Sequence, residues 1–314
     1  MMTDTAAATS LLDAVDGRTR LAGSNRMELL LFSIGTPEVF AINVFKVREV
    51  SKTPEITLTP NMPAGVDGVI NLRGNIIPVL DLAFFLDRDG VADCSNRTMM
   101  VTEYSRHTQG FLVDSVDRIV RVDWESVHAP DGLMARQDGL VTAITHLPDG
   151  QLVSILDVEQ ILALAFGEVV VPALEPVETD PGTFLFFVDD SSVARREIGA
   201  VMDKLGIRTQ LATNGHEALT RLQALASQAE RDGERLAQSL KVILVDAEMP
   251  EMDGYVLTRH IKADRRFVGI PVVMHSSLSS EANKAMGAAV GVDAYVAKFH
   301  PEILADTLRP LVSR

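Results

Sequence analysis

Phe184-Leu185-Phe186-Phe187-Val188-Asp189-Asp190 is an unbroken apolar run closed by two acids, and Val242-Ile243-Leu244-Val245-Asp246 repeats the pattern with one. Runs without polar alternation mark strands covered on both faces, as in a parallel sheet. The carboxyl ends of such strands gather at one edge of an open α/β sheet, where these sheets bind ligands. Three carboxylates at one edge repel one another unless a cation joins them. With no His or Cys among the donors, hard oxygen chemistry favours Mg²⁺. A carboxylate beside such an ion can attack a phosphoryl group, since charge on both reactants is neutralised.

Outward from these runs, the chain after Gly182 alternates strands with helical patterns. The strands fall at 183–188, 208–212, 242–245, 271–275 and 294–297, with helices starting near Ser192, Gly215, Met252, Ser279 and Pro301. Five β–α repeats predict one doubly wound α/β sheet of five parallel strands. Residues 217–239 are long and polar for a crossover helix and are expected to overhang the sheet edge.

Residues 27–167 read differently. Short β-like runs at 29–34, 69–72, 76–80, 99–101, 111–113 and 152–156 are separated by Gly, Pro, Asp and Asn. That is the pattern of an all-β barrel or sandwich. Between the two patterns, residues 168–182 hold three prolines among acids with no period, which predicts a semi-extended linker. Residues 1–26 are polar and rich in Ala, Ser and Thr, with one apolar patch at Leu11-Leu12, and read as a flexible arm.

The formal net charge of −14 is spread over both halves: 23 acids face 13 bases in residues 1–170, and 20 face 16 beyond. Neither half offers a basic stripe, which argues against nucleic-acid binding. Cys94 is the only cysteine, so no intramolecular disulfide can form and a reducing, cytoplasmic setting is expected. No apolar span of about 18 residues and no signal-like start occurs, so no membrane insertion is expected.

Two further strand ends complete a constellation. Residues 271–275 run into Ser276, and Ala294-Tyr295-Val296 comes just before Lys298. An acid pair, a lone acid, a hydroxyl and a lysine at successive strand ends resemble the response-regulator receiver domain, over residues 183–314. The resemblance implies a flavodoxin-like fold with Asp246 as phosphoacceptor. Asp189, Asp190, Asp246 and the backbone carbonyl of Glu248 would hold Mg²⁺. Lys298 and Ser276 would contact the phosphoryl oxygens, and Tyr295 would be an aromatic switch that turns inward when the hydroxyl moves. Read singly, these residues are ordinary: strand-end acids often cap helices, and a tyrosine on a strand is by default core. Receivers usually follow the lysine with proline, often cis. Here Phe299 follows, so a trans bond and a reshaped loop are expected.

The stretch G-V-D-G-V-I-N-L-R-G-N-I-I-P-V-L-D-L at 65–82 reads as strand, turn, strand. It resembles the CheW-type coupling domain, over residues 27–167. Residues 28–34 are similar to its opening strand, 40–50 to its second, and 149–162 to its closing strand and helix. The resemblance implies two small five-stranded β-barrels with a hydrophobic groove between them. It implies a receptor-facing coupling surface at Arg73, Val47, Asn71 and Gly74, and a kinase-facing one at 65–69. Asp67 stands where such domains often carry a basic residue. Arg73 also reads as a structural arginine tying two strands, Val47 as plain core, and Trp124 as packing.

A coupling domain joined through a Pro-rich linker to a receiver resembles the CheV family of chemotaxis coupling proteins. The resemblance implies a cytoplasmic adaptor, not an enzyme turning over free substrate, recruited to membrane-associated receptor arrays. It would join the cytoplasmic tips of chemoreceptors to a CheA-type histidine kinase and adapt kinase control through phosphorylation at Asp246. Two other readings stay open: a phosphate sink for the kinase, and a scaffold with a silent receiver, which Phe299 supports. An aspartyl-phosphate hydrolase is disfavoured, because its motif separates the two acids by one residue and Asp189-Asp190 are adjacent. No output domain follows position 314 in the sequence, so an output other than transcription is expected.

Overall fold

The structure is a computed structural model, and it describes residues 26–87, 97–104, 107–129, 139–168, 170–277 and 281–313. The expected arm (apart from Arg26), Cys94 and the expected helix start at Ser279 lie outside the described residues. The chain divides into two compact units, Met1–Glu168 and Val169–Arg314.

The first unit runs β1 (Arg26–Ser33), β2 (Val39–Asn43), β3 (Val47–Lys52), β4 (Val66–Leu72), β5 (Asn75–Asp81), the short helix α1 (Leu82–Phe85), β6 (Thr98–Tyr104) and β7 (His107–Val113). It continues with β8 (Ser115–Asp123), β9 (Val127–His128), β10 (Val141–His146), β11 (Leu152–Leu156) and α2 (Val158–Phe166). Two sheets result, ordered β8-β1-β2-β11-β10-β9 and β3-β6-β7-β5-β4. One sheet has six strands where five were expected, because the two-residue β9 pairs with β10.

Residues 40–50, expected as one strand, are two. The Asn43 side chain accepts a hydrogen bond from the Phe45 N–H at 3.0 Å and starts a 3₁₀ turn over Val44–Lys46. That break sends β2 into the first sheet and β3 into the second. Side chains alternate across a strand, and β1 is buried on both faces: Leu29 and Leu31 join a core with Trp124 and Ile155, while Leu30 and Phe32 join another with Leu80, Phe111 and Ile161 of α2. The second core fills the space between the sheets. A third, around Ile70, Val79 and Met99, belongs to the second sheet alone. Trp124 is packing, as its sequence context suggested.

The second unit runs β12 (Phe184–Val188), α3 (Ser192–Leu205), β13 (Thr209–Ala212), α4 (Gly215–Asp232), the short α5 (Leu236–Ser239) and β14 (Leu240–Asp246). It ends with α6 (Gly254–Ala263), β15 (Val272–Ser276), α7 (Glu281–Ala289), β16 (Ala294–Ala297) and α8 (Pro301–Val312). The strands form one sheet, β13-β12-β14-β15-β16, every pair parallel. Both faces are covered. Phe186, Ile243 and Val245 pack under α4 and α6, and Leu185, Phe187, Val242 and Leu244 under α3 and α8.

Helix α6 begins two residues later than expected because Asp253 caps it, accepting from the Val256 N–H at 2.7 Å. The polar crossover of residues 217–239 is broken at Gly233, which takes the left-handed conformation (φ 73°) that ends α4. In the Pro-rich stretch, Val171, Leu174 and Val177 pack against the α3/α8 core, and the Val177 N–H donates to the Leu205 carbonyl at 2.9 Å.

Candidate functional site

The sheet order puts β12 and β14 side by side, so Asp189 and Asp190, just past β12, meet Asp246, the last residue of β14. One carboxylate oxygen from each lies within 4.8 Å of the others. Asp189 and Asp246 are buried and Asp190 is half-buried. From β16, on the far side of β15, Lys298 reaches in. Its Nζ lies 2.8 Å from Asp189 Oδ2 and 2.9 Å from Asp246 Oδ2, and the residue is itself buried. Asp189 and Asp246 thus share one buried cation, in a setting where an uncompensated charge is costly.

The backbone around the acids is held from several sides. Asp189 Oδ1 accepts from the Ser191 N–H at 2.9 Å, and the Asp189 carbonyl accepts from the Arg195 guanidinium at 2.8 Å. Asp246 Oδ1 accepts from the Glu248 N–H at 3.4 Å. At Gly254 a Cβ atom would overlap the Asp246 carbonyl oxygen, so only glycine lets α6 start so close to the end of β14. The Lys298 N–H donates to the Ser276 carbonyl at 3.0 Å. The next residue, Phe299, is buried with φ of 62°, and no cis peptide bond is present among the described residues. The loop is therefore reshaped through a left-handed residue, at a cost of about 1–2 kcal/mol.

Ser276 closes β15 and is fully buried. Its hydroxyl donates to Tyr295, whose phenol is pushed by burial up to about 12. Asp189, Asp190, Asp246 and Lys298 thus form one pocket, and Ser276 and Tyr295 adjoin it.

Mg²⁺ fits this donor set. All three side chains offer hard oxygens, and opposite ligands of an octahedral Mg²⁺ stand about 4.2 Å apart. Ligand atoms that all lie within 4.8 Å of one another close onto one ion with at most a small contraction.

The residues expected on the coupling surface lie in the first unit. Asn71, Arg73 and Gly74 share the β4–β5 turn: Arg73 (φ 52°) and Gly74 (φ 90°) make its left-handed corner, and Asn71 Oδ1 accepts from the Gly74 N–H at 2.9 Å. The Arg73 guanidinium is exposed and pairs with Glu49 of β3 at 2.5 Å, tying the hairpin to the strand at the other end of that sheet's order. Val47 is not on that turn but 7% exposed, in the core between the sheets. Asp67 is half-buried on β4. Burial and the nearby Asp81 raise its pKa, against an opposing effect of Arg97.

Arg195 and Tyr255 were not singled out from the sequence, and Gly254 only as the partner of Asp253 in a turn after Asp246. Arg195 had a readable signal, being one helical turn beyond the Ser191 cap of α3. Gly254 had only its place after a capping acid, and Tyr255 looked like core.

An all-β unit of two sheets followed by a receiver-type α/β unit defines a two-part signalling adaptor. The CheW-like domain family matches residues 28–166, and the response regulator receiver domain family residues 185–309. The chain is similar to chemotaxis protein CheV3 of Helicobacter pylori, 31% identical over 284 residues that cover 88% of this chain and 89% of that protein. It is also similar to chemotaxis protein CheV2 of the same organism, 26% identical over 309 residues, covering 90% and 94%. The chain belongs to the CheV family of chemotaxis coupling proteins. Among the described residues, no helix is long and apolar enough to cross a membrane.

Proposed function

We propose that this protein couples chemoreceptor tips to a CheA-type histidine kinase and that phosphorylation at Asp246 resets that coupling. The observation that carries the reading is the convergence of Asp189, Asp190, Asp246 and Lys298 from three strand ends into one largely buried pocket. Residues 27–167 would be the coupler and 183–314 the receiver, with 168–182 as connector and 1–26 as an arm. The receptor contact would use Arg73, Asn71, Gly74 and Val47, and the kinase contact residues 65–69.

In the transfer step, an Asp246 carboxylate oxygen attacks the phosphorus of a phosphohistidine. The P–O bond forms as the P–N bond breaks, and the histidine ring takes up a proton from solvent. Asp189, Asp190, Asp246 and the Glu248 carbonyl would hold Mg²⁺, which supplies charge neutralisation between carboxylate and phosphoryl group. Lys298 exchanges its contact with Asp246 for a phosphoryl oxygen. The Ser276 hydroxyl turns to a second oxygen and releases Tyr295, so one added group of about −1.5 to −2 charges biases a two-state element. The connector keeps the acceptor on the same chain as the coupler that would dock the kinase, which raises the effective concentration of acceptor and donor.

A silent receiver is the weaker alternative. Its best support was the missing proline after Lys298, yet the left-handed Phe299 accompanies a Lys298 that reaches Asp246. Labelled phosphokinase with Mg²⁺, offered to the wild type and to Asp246→Asn, tests the reading. Label on wild type alone supports it, and label on neither leaves only a scaffold. Array kinase activity that is the same for both proteins would reduce the receiver to a phosphate sink.

A further inference from the structure

Both oxygens of the Asp189 carboxylate have partners: Oδ1 accepts from the Ser191 N–H at 2.9 Å, and Oδ2 lies 2.8 Å from Lys298 Nζ. The main chain of Asp189, one residue past the end of β12, is held less evenly. Its N–H reaches the Ala212 carbonyl of β13 only at 3.4 Å, long for such a bond. Its carbonyl accepts from the Arg195 guanidinium at 2.8 Å, well within the ordinary range. Arg195 is half-buried on the first turn of α3, where its own N–H donates to the Ser191 carbonyl at 3.0 Å. A buried carbonyl beyond the end of a strand needs a donor from outside the ladder, and α3 supplies one.

That carbonyl belongs to the peptide that joins Asp189 to Asp190. A peptide unit is planar, with both Cα atoms in its plane. Whatever fixes this carbonyl therefore fixes where both acidic side chains start. Two of the three carboxylates that converge within 4.8 Å depend on this one plane.

We propose that Arg195 is a positioning residue of the metal pocket, whose guanidinium holds the Asp189–Asp190 peptide so that both carboxylates face the site Mg²⁺ would occupy. This rests on the Mg²⁺ reading of Asp189, Asp190 and Asp246 given above. Groups that orient metal ligands are worth about 10–100-fold in metal affinity. Charge alone predicts the opposite sign. Arginine is always protonated, and a cation near the pocket repels Mg²⁺, so its loss should tighten binding. The direction of the effect thus separates positioning from electrostatics. Lysine is an incomplete substitute, because its ammonium is a point donor on a flexible stem while the guanidinium is a planar fork.

Calorimetric Mg²⁺ titrations of the full-length protein test this, at a temperature where circular dichroism shows each variant folded. Arg195→Met, which keeps an unbranched stem without the donor, should bind Mg²⁺ about ten-fold more weakly than the wild type. Arg195→Lys should fall between them, at about three-fold, and decides alone if Arg195→Met does not fold. Arg196→Met, which removes the exposed neighbouring charge, should bind as the wild type does. In phosphotransfer, the loss in Arg195→Met should lie in the Mg²⁺ concentration for half-maximal rate rather than in the rate at saturating Mg²⁺. Unchanged or tighter Mg²⁺ binding by the Arg195 variants, or equal weakening by Arg196→Met, would overturn the positioning role and leave Arg195 as a tie between α3 and β12. A wild type that binds no Mg²⁺ would overturn the reading of the pocket itself, and this proposal with it.

Discussion

Lys298 Nζ lies 2.9 Å from Asp246 Oδ2, both groups buried, so the proposed phosphoacceptor is already paired with the cation it would surrender to a phosphoryl oxygen. The same ammonium also holds Asp189 at 2.8 Å. Removing one partner of a buried pair typically costs about 3–5 kcal/mol, because the other charge stays behind uncompensated. Lys298→Met should destabilise the second unit by about that much in EDTA. Millimolar Mg²⁺ should recover part of the loss by replacing the missing cation. Asp246→Asn should do the opposite, unfolding no earlier than the wild type while accepting no phosphoryl group. Urea unfolding of the three proteins with and without Mg²⁺ checks both. Equal Mg²⁺ gains for wild type and Lys298→Met would contradict the shared-cation account.

Phe299 gives a second test at the same site. Receivers usually carry proline there, but proline fixes φ near −65° and Phe299 stands at 62°. Phe299→Pro, though it brings the sequence nearer to the family pattern, should therefore cost about 2 kcal/mol or more, since the loop must be rebuilt. Lys298 would move with it, and phosphotransfer from the kinase should slow at least about ten-fold, the effect of roughly 1.4 kcal/mol on the barrier. A faster-transferring, equally stable variant would show that the loop tolerates both conformations.

The second unit was largely legible in the sequence because its physics is local and repeated. Phe184–Val188 and Val242–Val245 read as two-faced strands, and acids at their ends necessarily meet once the strands are parallel neighbours. The first unit hid more. Ser115–Asp123 alternates charges with valines and isoleucine and lies at a sheet edge, so it showed no apolar run, yet it pairs with β1 along its length. The break at Asn43 depends on one side-chain hydrogen bond, which no hydropathy pattern reports. Tyr255 and Gly254 escaped for a related reason: what matters at each is a single long-range neighbour, Tyr295 or the Asp246 carbonyl.

Asp67 carries a prediction about pH. Burial and the Asp81 carboxylate raise its pKa in the folded state, so the folded protein binds that proton more tightly than the unfolded chain does. Its contribution to stability is therefore best below the unfolded value of about 3.9, is lost as pH rises through the higher folded value, and stays unfavourable above it. Asp67→Asn should accordingly stabilise the first unit at pH 7, by less than about 1 kcal/mol because the group is half exposed to solvent screening. The gain should shrink towards zero near pH 3–4. Denaturation midpoints of both proteins at pH 7 and pH 4 decide it, and a gain that grows on acidification would reverse the sign assigned to Asp67.

Gly254 and Gly199 make a paired test of how the acceptor is held. A Cβ at Gly254 would strike the Asp246 carbonyl oxygen and come within 2.9 Å of Val245 Cγ1, and a backbone atom in a central strand has nowhere to go. Gly199, inside α3, has nothing within 4 Å of the corresponding position. Gly199→Ala should leave stability unchanged or raise it by up to about 1 kcal/mol, the helix propensity of alanine over glycine. Gly254→Ala should lose about 1–3 kcal/mol from overpacking. Because the strain falls on Asp246 itself, Mg²⁺ affinity measured calorimetrically on the folded variant should also weaken, while Gly199→Ala binds as the wild type does. If Gly254→Ala lowered stability but left Mg²⁺ binding untouched, α6 would be packing against β14 without setting the position of its terminal carboxylate. Pocket geometry would then rest on the contacts of Arg195 and Lys298 instead.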